Sequence, residues 1–163
     1  MAKFTDFGVI CGKLGLHPGN LTTEQAAALF DRAMKCQEGA LFLDQWPDAG
    51  RTTALLATVA RNLSGNVKAV TRWDAGPQFG PQLFERIYRT HKLRDVVTVM
   101  DHSQANGHDA GADFAVVRAE TLPLINGDLN GAKRVFVYGA TQAKLDGYEV
   151  KERGPGWVLM EAE

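Results

Sequence analysis

From Leu41 onward the chain alternates short apolar runs with longer amphipathic segments, the pattern of an α/β sheet. The runs predict strands over 41–45, 67–71, 96–100, 114–117 and 134–138. Between the first two, Leu55, Leu56, Val59, Ala60 and Leu63 recur at helical spacing, so 51–63 reads as an amphipathic helix closed by Ser64-Gly65-Asn66. A loop with two prolines and two glycines (74–81) precedes a second apolar stripe, Leu83, Phe84, Ile87 and Tyr88, which runs to about Lys92. After the fourth strand the connections carry so much turn chemistry, as in Asn126-Gly127-Asp128, that their helices must be short. Residues 147–161, with a Gly154-Pro155-Gly156 turn, predict a closing hairpin.

Ahead of the sheet, Thr22-Thr23-Glu24-Gln25 has capping-box spacing, and Ala26, Leu29, Phe30 and Ala33 give the following helix an apolar face. The expected organisation is a lead-in over 1–21 and a single α/β domain over 22–163. The sheet is expected to be a three-layer, Rossmann-like one of about seven strands, mostly parallel, with the hairpin antiparallel on its edge.

Composition narrows the function more than it names it. The 163 residues are 45% hydrophobic and 23% charged, and 18 Lys plus Arg against 19 Asp plus Glu leave a formal charge of -1. A balance so near zero gives no field for drawing in nucleic acid or an anionic membrane, so a nucleic-acid partner is disfavoured. No apolar run approaches the ~20 residues of a membrane span and no basic-then-apolar leader opens the chain, which makes the cytoplasm, or an assembled particle, the expected location. Cys11 and Cys36 lie 25 residues apart without a CxxC spacing or histidine partners, so no metal site is expected and both read as buried thiols.

Local clusters are weaker signals. Asp101-His102-Ser103 with His108-Asp109 is the densest titratable group, at the edge where α/β sheets bind ligands, but the surrounding Gln104, Asn106, Gly107 and Gly111 describe an ordinary polar loop. Arg86 and Arg89 share one face of a basic helix, which fits a solvated surface or an acidic partner. A Gly-x-Ser-x-Gly elbow and a Walker loop are both absent, so no catalytic residue is assigned.

The layout and Leu43-Asp44-Gln45-Trp46-Pro47-Asp48-Ala49-Gly50-Arg51-Thr52-Thr53 resemble the class I S-adenosylmethionine-dependent methyltransferases. In the small-molecule branch of that family a strand ending in an acid leads through glycines into a helix beginning Gly-Arg/Lys-Ser/Thr. The second strand, ending Val70-Thr71-Arg72-Trp73-Asp74, and the closing Gly156-Trp157-Val158-Leu159 are similar to the same family. The resemblance spans residues 22–161.

Three positions depart from the family pattern. Trp46 replaces a glycine that lets the backbone approach the cofactor, Thr71 replaces the acid that accepts from the ribose hydroxyls, and Arg118 stands where relatives carry metal-binding or acceptor-positioning acids. Their joint loss implies a non-catalytic structural or interaction protein on a degenerate scaffold, such as a component of a virion, with no cofactor. Trp46, Trp73, Arg86 and Arg89 would then contact a protein partner or a second copy. The alternative is a divergent S-adenosylmethionine-dependent methyltransferase acting on a small molecule or protein. Asp44, Gly50, Thr52, Asp74 and Asp101 would then hold S-adenosylmethionine.

Overall fold

The computed structural model describes residues 21–45, 47, 50–71, 80–105, 111–125, 129, 131–140 and 142–163. They form a seven-stranded sheet: β1 (Leu41–Gln45), β2 (Asn66–Thr71), β3 (Val97–Asp101), β4 (Phe114–Arg118), β5 (Arg134–Tyr138), β6 (Tyr148–Gly154) and β7 (Trp157–Ala162). The strand order is β3-β2-β1-β4-β5-β7-β6. The first five strands are parallel, and β7 runs antiparallel to both β5 and β6. Strand positions match the apolar runs to within a residue or two. The order reverses between β1 and β4, which opens a crevice at their carboxyl ends where connections depart to opposite faces.

Among the described residues three helices cover one face: α1 (Thr23–Ala33), α2 (Arg51–Leu63) and α3 (Gly80–Thr90). The capping box forms as its spacing predicts, with Gln25 N donating to Thr22 Oγ1 at 3.1 Å and Thr22 N to Gln25 Oε1 at 2.9 Å. The same Gln25 donates through Nε2 to the Gly156 carbonyl, and the Arg32 guanidinium lies 4.7 Å above the Trp157 ring while pairing with Glu152. These contacts fasten α1 to the closing hairpin. Trp157 is itself core, stacked on Phe136 at 5.4 Å.

α2 is the central helix of this layer. Leu55, Leu56, Val59 and Ala60 are wholly buried against Phe42, Phe114 and Phe136 of the strands, none of which is exposed. Each such large side chain contributes about 1.5–3 kcal/mol of burial. A left-handed Ser64 ends the helix, its N–H returning to the Ala60 carbonyl.

Among the described residues the opposite layer is thin. Its described residues include two one-turn helices, α4 (His102–Ala105) and α5 (Leu122–Ile125). Leu43, Val70, Ala115, Val117, Val135, Val137 and Val158 are covered there chiefly by Leu122, Leu129, Ala132, Ala143 and Leu145. Thr98, on the edge strand, is exposed. Cys36 lies in the turn after α1 rather than on the helix, half-buried, and burial pushes its thiol pKa up; Cys11 is outside the described residues. No helix among the described residues is long and apolar enough to cross a membrane.

Candidate functional site

The sheet brings the carboxyl ends of β1, β2, β3 and β4 to one rim, with the start of α2 beside β1. Asp44, next to last in β1, is 1% exposed. Its Oδ2 accepts from Thr52 Oγ1 at 2.8 Å and from Thr53 Oγ1 at 2.6 Å. Both hydroxyls come from the first turn of α2, so the carboxylate faces the positive end of the helix and is held by charge-assisted bonds.

Gly50 makes the turn possible. It caps α2 at φ 97°, a left-handed conformation that side chains resist. A Cβ there would stand 3.2 Å from Phe84 Cδ2 and 3.4 Å from Ile87 Cβ, so α3 packs against the bare backbone. The first-turn N–H groups of a helix have no intrahelical acceptors, and α2 carries no acidic side chain in its first turn to take them up.

Gln45, the last residue of β1, is 7% exposed, and its Oε1 is buried without a hydrogen-bond partner. It stands in register with Val70 on β2 and Val117 on β4, both part of the apolar cluster on the face opposite α2. A buried amide oxygen in such surroundings is an acceptor held out of water without compensation.

At the next strands, Thr71 is buried and donates its hydroxyl to the Met100 carbonyl at 3.2 Å. Its register partner on β3 is Asp101. The Asp101 carboxylate is about half exposed; Oδ1 accepts from Ser103 N at 3.0 Å and Ser103 Oγ at 2.6 Å, with His102 Nδ1 at 3.4 Å. An acid thus stands at the rim one strand away from the position where the second strand lacks one. Arg118, at the end of β4, is ion-paired with Glu120, and its carbonyl accepts from Thr121 Oγ1 at 2.7 Å. No three His, Cys, Asp or Glu side chains converge as metal ligands among the described residues.

Of the residues singled out from the sequence, Asp44, Gly50 and Thr52 form one unit, and Asp101 joins the same rim from β3. Trp46, Trp73 and Asp74, and the His108-Asp109 pair, lie outside the described residues. Arg86 and Arg89 are exposed on α3. Arg89 pairs with Glu85 and borders a cleft of about 1080 Å³ with Arg61, Tyr88, Lys92 and Arg94, which Gly50 does not line. Thr53 and Gln45 were not singled out. The Thr52-Thr53 doublet carried a signal for the first, whereas the burial of Gln45 depends on neighbouring strands that no local pattern reveals.

No family model and no curated protein matches the sequence. Solved structures do match. The O-methyltransferase from Bacillus cereus in complex with SAH superposes with a TM-score of 0.64 at 12% identity, covering 96% of this chain and 89% of that one. Cofactor-bound Rv0187 from MTB gives 0.64 at 13%, covering 96% and 87%. The precorrin-6y C5,15-methyltransferase from Geobacter metallireducens GS-15 gives 0.54 at 13%, covering 88% and 90%. The chain has the class I methyltransferase fold.

The match corrects one expectation. The sequence reading took this methyltransferase fold to be without a cofactor, yet two of the similar structures hold one, SAH in the Bacillus cereus enzyme and a cofactor in Rv0187. That expectation rests on Trp46, Thr71 and Arg118 together; Trp46 lies outside the described residues, and pairing of β2 with β3 sets Asp101 beside Thr71. Nothing in the fold or the comparisons supports a degenerate site, a structural role or a place in a virion.

The rim can be tested against S-adenosylmethionine group by group. The start of α2 offers N–H donors for a carboxylate, Gln45 Oε1 offers an unsatisfied acceptor for an ammonium, and Asp101 offers a carboxylate for hydroxyl or amino donors. The described residues fit the cofactor.

Proposed function

We propose that this chain is an S-adenosylmethionine-dependent methyltransferase. The observation that carries the proposal is the β1-to-α2 unit, in which Asp44, fixed by Thr52 and Thr53, and left-handed Gly50 set a helix start at the switch point of the sheet. Likeness to the Bacillus cereus O-methyltransferase in complex with SAH, and to cofactor-bound Rv0187, supports it.

When bound, the cofactor supplies a methyl group on a cationic sulfur, open to displacement by a nucleophile. The chain's own contribution is then to bind and orient. The first turn of α2 presents backbone N–H groups and a positive dipole end to a carboxylate. Asp44 is a positioning residue: by accepting from Thr52 and Thr53 it locks that turn to the end of β1. Asp101 takes the role of ribose or adenine acceptor at the β2 and β3 edge. Holding both ends of an extended ligand limits the reacting methyl to a narrow range of positions, which is where oriented transfer gains its rate.

The test is thermal denaturation of the whole chain with and without S-adenosylhomocysteine (SAH). Binding to the folded state raises the midpoint as ligand concentration rises above Kd. A midpoint that stays constant up to millimolar SAH contradicts the proposal.

A further inference from the structure

We infer that the side-chain carbonyl of Gln45 receives the α-ammonium group of the cofactor's amino-acid end; this inference rests on the proposed function. It starts from a polar atom in an unfavourable place. Gln45 Oε1 is buried with no hydrogen-bond partner, in a residue only 7% exposed. Strand neighbours Val70 and Val117 offer it only apolar side chains. Buried acceptors are nearly always paired, and an unpaired one in a folded protein points to a donor that arrives from outside the chain.

Position selects the donor. Gln45 ends β1 at the point where the strand order reverses, and its side chain faces the layer opposite α2. A ligand seated in the crevice at that reversal therefore meets the start of α2 on one side and Gln45 on the other. An α-amino acid carries its acceptor-only carboxylate and its donor-only ammonium on the same carbon. With the carboxylate at the N–H groups of α2, the ammonium needs an acceptor close by. Asp44 is already committed at Oδ2 to two threonine hydroxyls. Gln45 Oε1 is an amide oxygen able to accept without adding a second buried charge beside Asp44.

The assignment separates from a structural role by the sign of its effects. Replacing an unsatisfied buried acceptor by an apolar side chain of similar size leaves the free protein as stable or more stable, since the desolvated oxygen is removed. The same change removes a hydrogen bond to a charged donor in the complex. The experiment measures SAH and 5′-deoxy-5′-methylthioadenosine affinity by calorimetry for wild type, Gln45→Leu and Gln45→Met, with the unfolding midpoint of each free protein. 5′-Deoxy-5′-methylthioadenosine keeps the nucleoside and lacks the amino-acid end.

The expected result is SAH affinity lowered roughly tenfold or more, 5′-deoxy-5′-methylthioadenosine affinity changed less than about twofold, and midpoints equal to or above wild type. Equal loss for both ligands, or SAH binding unchanged in both variants, overturns the assignment and leaves the methyltransferase proposal standing. A wild-type chain that binds neither ligand overturns that proposal and the assignment with it. The Met variant keeps the experiment decisive if the branched Leu does not pack.

Discussion

Asp101 stands in register beside Thr71, at the carboxyl ends of neighbouring strands on the rim that carries Asp44 and Gly50. Thr71 turns its hydroxyl to the Met100 carbonyl, so the acceptor offered at this edge comes from β3. Asp101→Ala is expected to weaken SAH binding by about tenfold or more, the size of a lost hydrogen bond to a charged group. Because the side chain is half exposed, the fold should survive. Thr71→Val should leave SAH affinity within about twofold. Titration calorimetry on both variants checks the pair, and the reverse order of effects would contradict the placement.

Gly50→Ala should destabilise the chain by about 1–3 kcal/mol, the cost of forcing a side chain into a left-handed conformation. Contact of the new Cβ with Phe84 and Ile87 adds to it. Urea unfolding measures the difference. A change under about 0.5 kcal/mol would show that the turn relaxes freely and that Gly50 does not fix the start of α2.

Thr53→Val removes one of the two hydroxyls that hold the buried Asp44 carboxylate, in a residue with no exposed surface. The expected loss is about 1.5–3 kcal/mol of stability. Thr52→Val should behave likewise, and the double variant should lose more than the sum, since in each single variant the remaining hydroxyl has the shared oxygen to itself. Full additivity in a double-mutant cycle would contradict a shared acceptor.

Stability should fall in acid through Asp113. Its carboxylate accepts from Leu41 N at 2.9 Å and from Lys133 Nζ at 3.0 Å, and these two bonds, the backbone one foremost, lower its pKa. A carboxyl with a depressed folded-state pKa contributes stability above its unfolded pKa of about 3.9, and that contribution disappears as pH falls through the folded value. The midpoint difference between wild type and Asp113→Asn should therefore be present at neutral pH and vanish in strong acid. A difference independent of pH would contradict it.

Much of the fold was legible because its signals are local. The capping box at Thr22, the stripe from Leu55 to Leu63 and the apolar strand runs each lie within one element. The site was legible only where one segment carries it, as with Asp44, Gly50 and Thr52. Asp101 beside Thr71 is a relation between strands 30 positions apart, set by parallel register. Burial of Gln45 Oε1 likewise exists only once Val70 and Val117 flank it. Thr71, one of the three departures behind the expectation of no cofactor, changes meaning only when Asp101 is set beside it.

The measurement that bears most directly on the methyltransferase proposal is calorimetric titration of the full chain with SAH. The account predicts saturable binding at one site, with a Kd of roughly micromolar order that weakens about a hundredfold when Asp101 and Gln45 are both replaced. Absence of saturable binding at millimolar SAH would contradict it.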